Sequence, residues 1–487
     1  MDDTRHLADH LGPASWAGPL LLATSFFVFT FIAGALAEVG LLPFMALVTV
    51  TLLVIFVLFL QHPSYIVPSL IVTVPLEIWK AFFPFWRVEA RPDLPPTSLL
   101  DLSRLVLLAA LVAYGCSAML RGRLGIVRHT VVRRAALLLA LFTFSTLFGP
   151  THMRGIIETG RLAVHMILLI AMCQLLTSTR RIELALQGFV GCVLGLSCIT
   201  LIQFLTNNAA QISSLAVYRP SATVFDPNIL ARYLAIGIVL CTVLLTTSAM
   251  TRGVLLLTAL LASLGLLLTL SRSGWLLVPL GLAVAWWWSS GRARRRLGLM
   301  SIVVLIGMLA VAVSLSMVSS RLGTLGQGIS ALGSRLALID TGVRIFRDHL
   351  LLGAGLGSFQ AVALAQYPGY LPFGGTYVTL SHTAFITIAA ELGLAGLTLT
   401  TLLLVALARS CKASMVSHSP AHRAYATSAF VALAMIVGSA QTEGRLFEDP
   451  MLWIFIALLV SVERVVRATP GELMNVDERN RHQELHT

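Results

Sequence analysis

Apolar runs recur along the whole chain, at residues 17–37, 41–60, 64–83, 102–119, 135–150, 162–178, 183–205, 227–248, 253–270, 274–289, 298–318, 382–408, 424–441 and 450–464. A helix needs about 20 mostly apolar residues to cross a bilayer. Inside lipid only helices and closed barrels satisfy their own backbone groups. Barrel strands would read as alternating segments of about ten residues, and these runs do not alternate. The sequence therefore predicts an all-α polytopic membrane protein with about 14 transmembrane helices. The composition agrees: 57% of residues are hydrophobic and 11% are charged, where soluble proteins carry about a quarter charged. A water-soluble globular domain and a disordered chain are both excluded. The first run is too long for a cleaved signal peptide and no small-residue cleavage site follows it.

The arginines orient the spans. Residues 120–134 hold Arg121, Arg123, Arg128, Arg133 and Arg134, and residues 290–297 hold Arg292, Arg294, Arg295 and Arg296. Both loops are cytoplasmic by the positive-inside rule, which puts both termini inside and predicts 19 basic residues on the inner side against 11 on the outer. The excess of 34 basic over 22 acidic residues thus belongs to membrane orientation. No basic stretch interleaves aromatic residues, so nucleic acid is not an expected partner. Cys116, Cys173, Cys192, Cys198 and Cys241 fall in spans and Cys411 in an inner loop, so no structural disulfide is expected. The chain divides into N-terminal spans (1–205), spans with two arginine motifs (206–318), one large outer loop (319–381), C-terminal spans (382–464) and a polar inner tail (465–487).

Polar residues gather at the outer ends of a few spans. The stretch 218–232 reads YRPSATVFDPNILAR. Asp226 and Pro227 form a helix start, the acid capping free N–H groups and the proline fitting the first turn. Arg232 lies one turn further on, on the face of Asn228. A charge at that depth needs a partner, a wet cavity or an outlet to the interface. The stretch TLSRSGW at 269–275 joins two spans by a short outer turn. Ser271 and Ser273 suit a helix cap. Arg272 sits beside a helix N-terminus, which favours anions, and a guanidinium there suits phosphate.

Within the large loop, Leu336, Ile339, Val343, Phe346 and Leu350 form a helical stripe, with Arg335, Arg344, Arg347 and Asp348 off it. This predicts an amphipathic helix on the outer membrane surface, its basic face either solvated or a second contact for an anionic lipid. The GAGLG at 353–357 lacks the strand-turn-helix context of a nucleotide fingerprint and reads as a flexible turn. In SHTAFITIAAELGLAG (381–396), His382 stands at the mouth of a span, as a base or a helix cap. Glu391, nine residues on, faces the opposite way and requires a partner from another helix or a proton; Arg232 is one candidate. There is no HExxH and no metal-ligand spacing, so neither metal nor cofactor is expected.

RPSATVFDPNILARY with Arg219, LTLSRSGW with Arg272, and RIFRDHLLLGAGLGSF followed by SHTAFITIAAELGLAG with His382 occur in this order around one large outer loop. The ordered set resembles the O-antigen ligase and O-antigen polymerase family of bacterial envelope glycan enzymes. The resemblance covers residues 219–396. It implies a glycosyltransferase of the bacterial cytoplasmic (inner) membrane, with its active site facing outward. The donor would be a glycan on a polyprenyl diphosphate lipid, and the acceptor a glycan or a lipid. It also implies that Arg219 and Arg272 hold the diphosphate, that His382 activates the acceptor hydroxyl, and that Asp226, Asn228, Arg232, Arg344, Arg347 and Glu391 support them. Two features depart from the family pattern: Thr383 follows His382 where asparagine is common, and the spans are more numerous than usual.

The residues suit that chemistry on their own terms. Two fixed arginines stabilise charge on a departing diphosphate, and a histidine takes the acceptor's proton. No carboxylate pair is required, unlike in glycosidases. The alternative is a polysaccharide or lipid transporter, which would place its ionisable groups near mid-membrane with broken helices in both halves.

Overall fold

The computed structural model describes residues 65–75, 109–116, 127–206, 211–212, 218–224, 226–246, 251–314, 329–371 and 380–468, with a few further positions between 50 and 119. The predicted span 17–37 lies outside these residues. Spans 41–60, 64–83 and 102–119 lie only partly within them. The described chain is helical apart from two antiparallel two-residue strands, β1 (Gln211–Ile212) and β2 (Tyr218–Arg219), with Gln211 opposite Arg219.

The helices are α1 (Ile66–Thr73), α2 (Thr130–Phe148), α3 (His152–Leu175), α4 (Thr179–Leu205), α5 (Pro227–Leu244), α6 (Arg252–Leu268), α7 (Arg272–Trp288), α8 (Gly291–Ser314), α9 (Ile329–Asp348), α10 (Phe359–Gln366), α11 (Ala384–Ser414), α12 (Pro420–Glu443) and α13 (Pro450–Ala468). Seven of them, α2, α3, α4, α5, α8, α11 and α12, are long and apolar enough to cross a membrane. Their boundaries follow local chemistry. His129 caps α2 through Val131 N–H at 3.2 Å, and Ser178 caps α4. Pro420 opens α12, and Gly444, at φ +81°, closes it in the left-handed region that glycine favours.

α5 and α13 form the centre. Nearly every residue of α5 is buried, against α4, α6, α7 and α12. α13 packs on α3, α11 and α12, with Trp453 and Phe455 wholly enclosed. α7 runs antiparallel to α12: Gly281 meets Met435 and Trp288 meets Phe430. α8 lies at the edge, burying only Leu297 and Ala312.

The connections fall on two faces. One face gathers the α2–α3 turn, residues 218–224 and 226, the α6–α7 turn, residues 329–371 and 380–383, and the α12–α13 connection. Contacts join them: Gly149 abuts Gly355, Arg219 reaches Thr269, and Gly444 abuts His382. The other face holds His129, bonded to Glu463 at 3.0 Å, and Thr179, bonded to His422 at 2.8 Å.

Two expectations for the large loop change. α9 is helical as predicted, but the face it buries against protein is Leu338, Thr341, Gly342 and Ile345. A Cβ on Gly342 would touch Ile386, so α9 packs along the first turns of α11. The predicted stripe is a second apolar face, with Leu336 and Leu350 still about half exposed. The span 382–408 is also not one continuous crossing. α11 breaks at Gly393 (φ +63°, ψ −156°). The part beyond the break is about 30 Å long, which matches the hydrocarbon thickness by itself.

Candidate functional site

The arginine segments interlock. Asp226 is the N-cap of α5 and accepts from Asn228 N–H at 2.7 Å. The side-chain oxygen of Asn228 then accepts from Arg219 at 3.2 Å and from Ser271 Oγ at 2.9 Å. Arg219 also donates through Nε to the Thr269 carbonyl at 2.8 Å. Ser271 caps α7 through Gly274 N–H at 3.3 Å, which makes Arg272 the first residue of that helix. A Cβ on Gly274 would lie 2.5 Å from Ala231 Cβ, so the start of α7 is pressed against α5. Arg219 and Arg272 are therefore carried by two segments that share Asn228.

Arg232 is buried in an ion network. It bonds Glu443 at 2.7 Å and Asp449 at 3.0 Å. The predicted pairing with Glu391 does not occur. The partners lie at the C-terminus of α12 and just before α13, so Arg232 ties α5 to the α12–α13 connection. The same connection holds the histidine. His382 makes a backbone hydrogen bond with Thr442, and a Cβ on Gly444 would come within 3.3 Å of His382 backbone atoms. The Arg219–Asn228–α5 unit and the His382 segment are thus fastened to one piece of chain.

His382 is not the cap of α11. That position is Thr383, whose side chain makes no capping bond. Half-burial pushes the imidazole pKa below its ordinary value, and the charge of Arg335 pushes it further the same way, so the neutral form that accepts a proton is favoured. Three described non-glycine residues have positive φ: Ala222 at 47°, Leu270 at 53° and His382 at 58°. Each lies in one of the three segments carrying Arg219, Arg272 and His382. Left-handed backbone costs about 1–2 kcal/mol per residue, and strain of this kind collects at functional sites.

Glu391 has a different partner from any expected. Its carboxylate accepts Gly357 N–H at 3.0 Å and Phe359 N–H at 3.1 Å. The GAGLG stretch is correspondingly not a flexible turn. Ala354 and Gly355 donate to the Ala390 and Glu391 carbonyls at 2.8 and 3.1 Å, while Leu394 and Ala395 donate to the Leu350 and Leu351 carbonyls at 2.9 and 3.1 Å. These bonds satisfy the backbone groups that the break at Gly393 releases, as non-helical backbone near a bilayer requires. Glu391 lies level with the α2–α3 turn through Gly355 and Gly149, so it stands at the helix ends and not deep in a span.

Arg344 pairs with Asp340 at 2.8 Å and lies 3.9 Å over the Tyr370 ring, and Arg347 is exposed. Neither is brought to the Arg219–His382 assembly by these contacts. The sequence reading missed the α12–α13 connection altogether. Arg445 pairs with Glu448 at 2.6 Å, and Glu448 with Arg161 at 3.0 Å; Glu443 and Asp449 hold Arg232. Four charged residues in the short stretch 443–449 of so apolar a chain are the signal that could have revealed it. A cavity of about 330 Å³ between α2 and the 349–355 segment contains none of Arg219, Arg272 and His382. Among the described residues no three His, Cys, Asp or Glu side chains form a group that could hold a metal ion.

No curated protein matches the chain. Residues 257–401 match the family model described as O-antigen ligase. The matched stretch contains Arg272, α9, the GAGLG crossing and His382, while Arg219 precedes it. The match supports a membrane glycan ligase or polymerase role and a glycosyltransferase-like enzyme. Residues 257–401, about 30% of the chain, are thus similar to the O-antigen ligase family.

Proposed function

We propose that the protein transfers a glycan from a polyprenyl diphosphate lipid to an acceptor hydroxyl at the outer face of the bacterial cytoplasmic membrane. The observation that carries this reading is the shared fastening of Arg219, Arg272 and His382 on one face of the bundle. Arg219 and Arg272 take the diphosphate. The acceptor oxygen attacks the anomeric carbon as the bond from that carbon to the phosphate oxygen breaks, and the polyprenyl diphosphate leaves with the electron pair. His382 takes the acceptor's proton, and the single direct displacement inverts the anomeric centre. The ionisable groups sit at helix ends on one face, which favours chemistry there over alternating access. Asp226 and Asn228 support Arg219, and Arg232 acts through Glu443 and Asp449. Glu391 acts through the 357–359 turn. Arg344 and Arg347 are left for contacts with anionic lipid beside α9.

Arg272→Lys keeps the charge and loses the planar fork that grips phosphate from two sides. Transfer is expected to fall at least tenfold, and Arg219→Ala should fall comparably. Steady-state transfer by purified variants at matched protein levels is the test, and near-normal turnover in both would remove the arginines from the donor site.

The pH profile follows from the His382 environment. Its pKa lies below the ordinary 6.5, so the neutral base persists to lower pH. The acid limb of kcat/KM is expected to have its midpoint below 6.5. Arg335→Gln removes a neighbouring positive charge, stabilises the imidazolium and should move that limb upward. A limb that stays in place would mean that another group takes the proton.

A further inference from the structure

At the end of α7 away from Arg272, three tryptophans, Trp286, Trp287 and Trp288, precede a two-residue turn and the start of α8, where Arg292, Arg294, Arg295 and Arg296 follow. The first turn of α8 contains no acidic residue. Four cations at a helix start oppose the helix dipole, which there favours negative charge. Arg294 lies 3.7 Å over the Trp286 ring, and its buried Nε has no hydrogen-bond partner among the described residues. Arg292, Arg295 and Arg296 are exposed, and Trp287 is 74% exposed. Beyond the arginines, Leu299, Ile302, Val303, Ile306 and Leu309 leave an open apolar face along α8. Tryptophans of this kind sit at headgroup level, so the order along the surface is cationic turn, indole belt, apolar helix.

We propose that the α7–α8 turn binds the phosphodiester headgroup of an anionic phospholipid, whose acyl chains lie along the exposed face of α8. Guanidinium groups grip a phosphate bidentately. A zwitterionic lipid brings its own cation into a cluster that already holds four, so the match is to a net anionic headgroup. The site is remote from the Arg219–His382 assembly and does not depend on the reaction assigned to it.

The full-length protein in nanodiscs of phosphatidylcholine, doped with brominated phosphatidylglycerol or brominated phosphatidylcholine, tests this through quenching of tryptophan emission. An arginine near an anionic surface contributes about fivefold in affinity. Half-maximal quenching by the phosphatidylglycerol is therefore expected at a mole fraction at least fivefold lower than for the phosphatidylcholine. High salt should abolish that preference, and Trp286→Phe with Trp287→Phe and Trp288→Phe should remove the extra quenching. Replacing Arg292, Arg294, Arg295 and Arg296 with glutamine should bring the two midpoints together; the salt series decides the matter even if that variant inserts poorly. Equal midpoints in the unaltered protein, or a preference that survives high salt, would leave the arginines as an orientation signal only.

Discussion

His382→Ala is expected to lower glycan transfer by about 10²–10⁴-fold, the usual worth of a general base, while donor binding persists because Arg219 and Arg272 remain. The discriminating variant is His382→Asn. The residue sits at φ +58°, a left-handed conformation that asparagine and histidine both tolerate, so asparagine preserves the backbone. It cannot take a proton at neutral pH. A folded, donor-binding and inactive His382→Asn protein supports the base assignment. An active one makes His382 a backbone device. Because Thr383 and not His382 holds the cap position of α11, a capping role does not account for a loss on substitution.

The second large effect concerns the crossing of two backbones. A Cβ on Gly353 would lie 2.2 Å from the Glu391 carbonyl carbon and 2.3 Å from Leu392 N. A Cβ on Gly393 would lie 2.5 Å from the Leu351 carbonyl carbon. Both glycines also have positive φ, at 73° and 63°. No side chain can rotate away from such contacts, since the obstacles are main-chain atoms. Gly353→Ala is expected to separate the two strands of chain, releasing the four backbone bonds around the break. The cost should exceed ~4 kcal/mol, in the range reserved for gross steric conflict. Thermal unfolding in detergent, or yield of monodisperse protein, reads this directly; a melting temperature equal to the unaltered protein's would show that the crossing is not needed. Gly369, where an added Cβ meets nothing within 4 Å, gives the control substitution.

The span pattern was legible because hydropathy acts locally: most of the longer helices from 130 onward coincide with an apolar run, and α5, α12 and α13 also open on a proline. Asp226 and Ser271 were legible for the same reason, as caps that bond within three residues, and Pro227 as the residue that fits the first turn of α5. What escaped was set by distance along the chain. Arg232 finds Glu443 and Asp449 more than 200 residues away, and nothing in its own neighbourhood points to them. Glu391 is satisfied by backbone N–H groups, which every residue except proline offers and no sequence pattern marks. α9 carries two apolar stripes, and periodicity alone does not say which one meets protein. The glycines of the GAGLG stretch advertised turn freedom, while their use is close backbone approach.

The central claim is that the assembly around Arg219, Arg272 and His382 moves a glycan off a lipid diphosphate. Purified protein in proteoliposomes, supplied with a polyprenyl-diphosphate glycan and candidate acceptors, tests it by measuring released polyprenyl diphosphate together with the linkage in the product. The account predicts one polyprenyl diphosphate released per glycosidic bond formed, an inverted anomeric configuration, and loss of both signals in His382→Asn. Movement of intact donor across the bilayer with no new linkage would contradict it and make the protein a transporter.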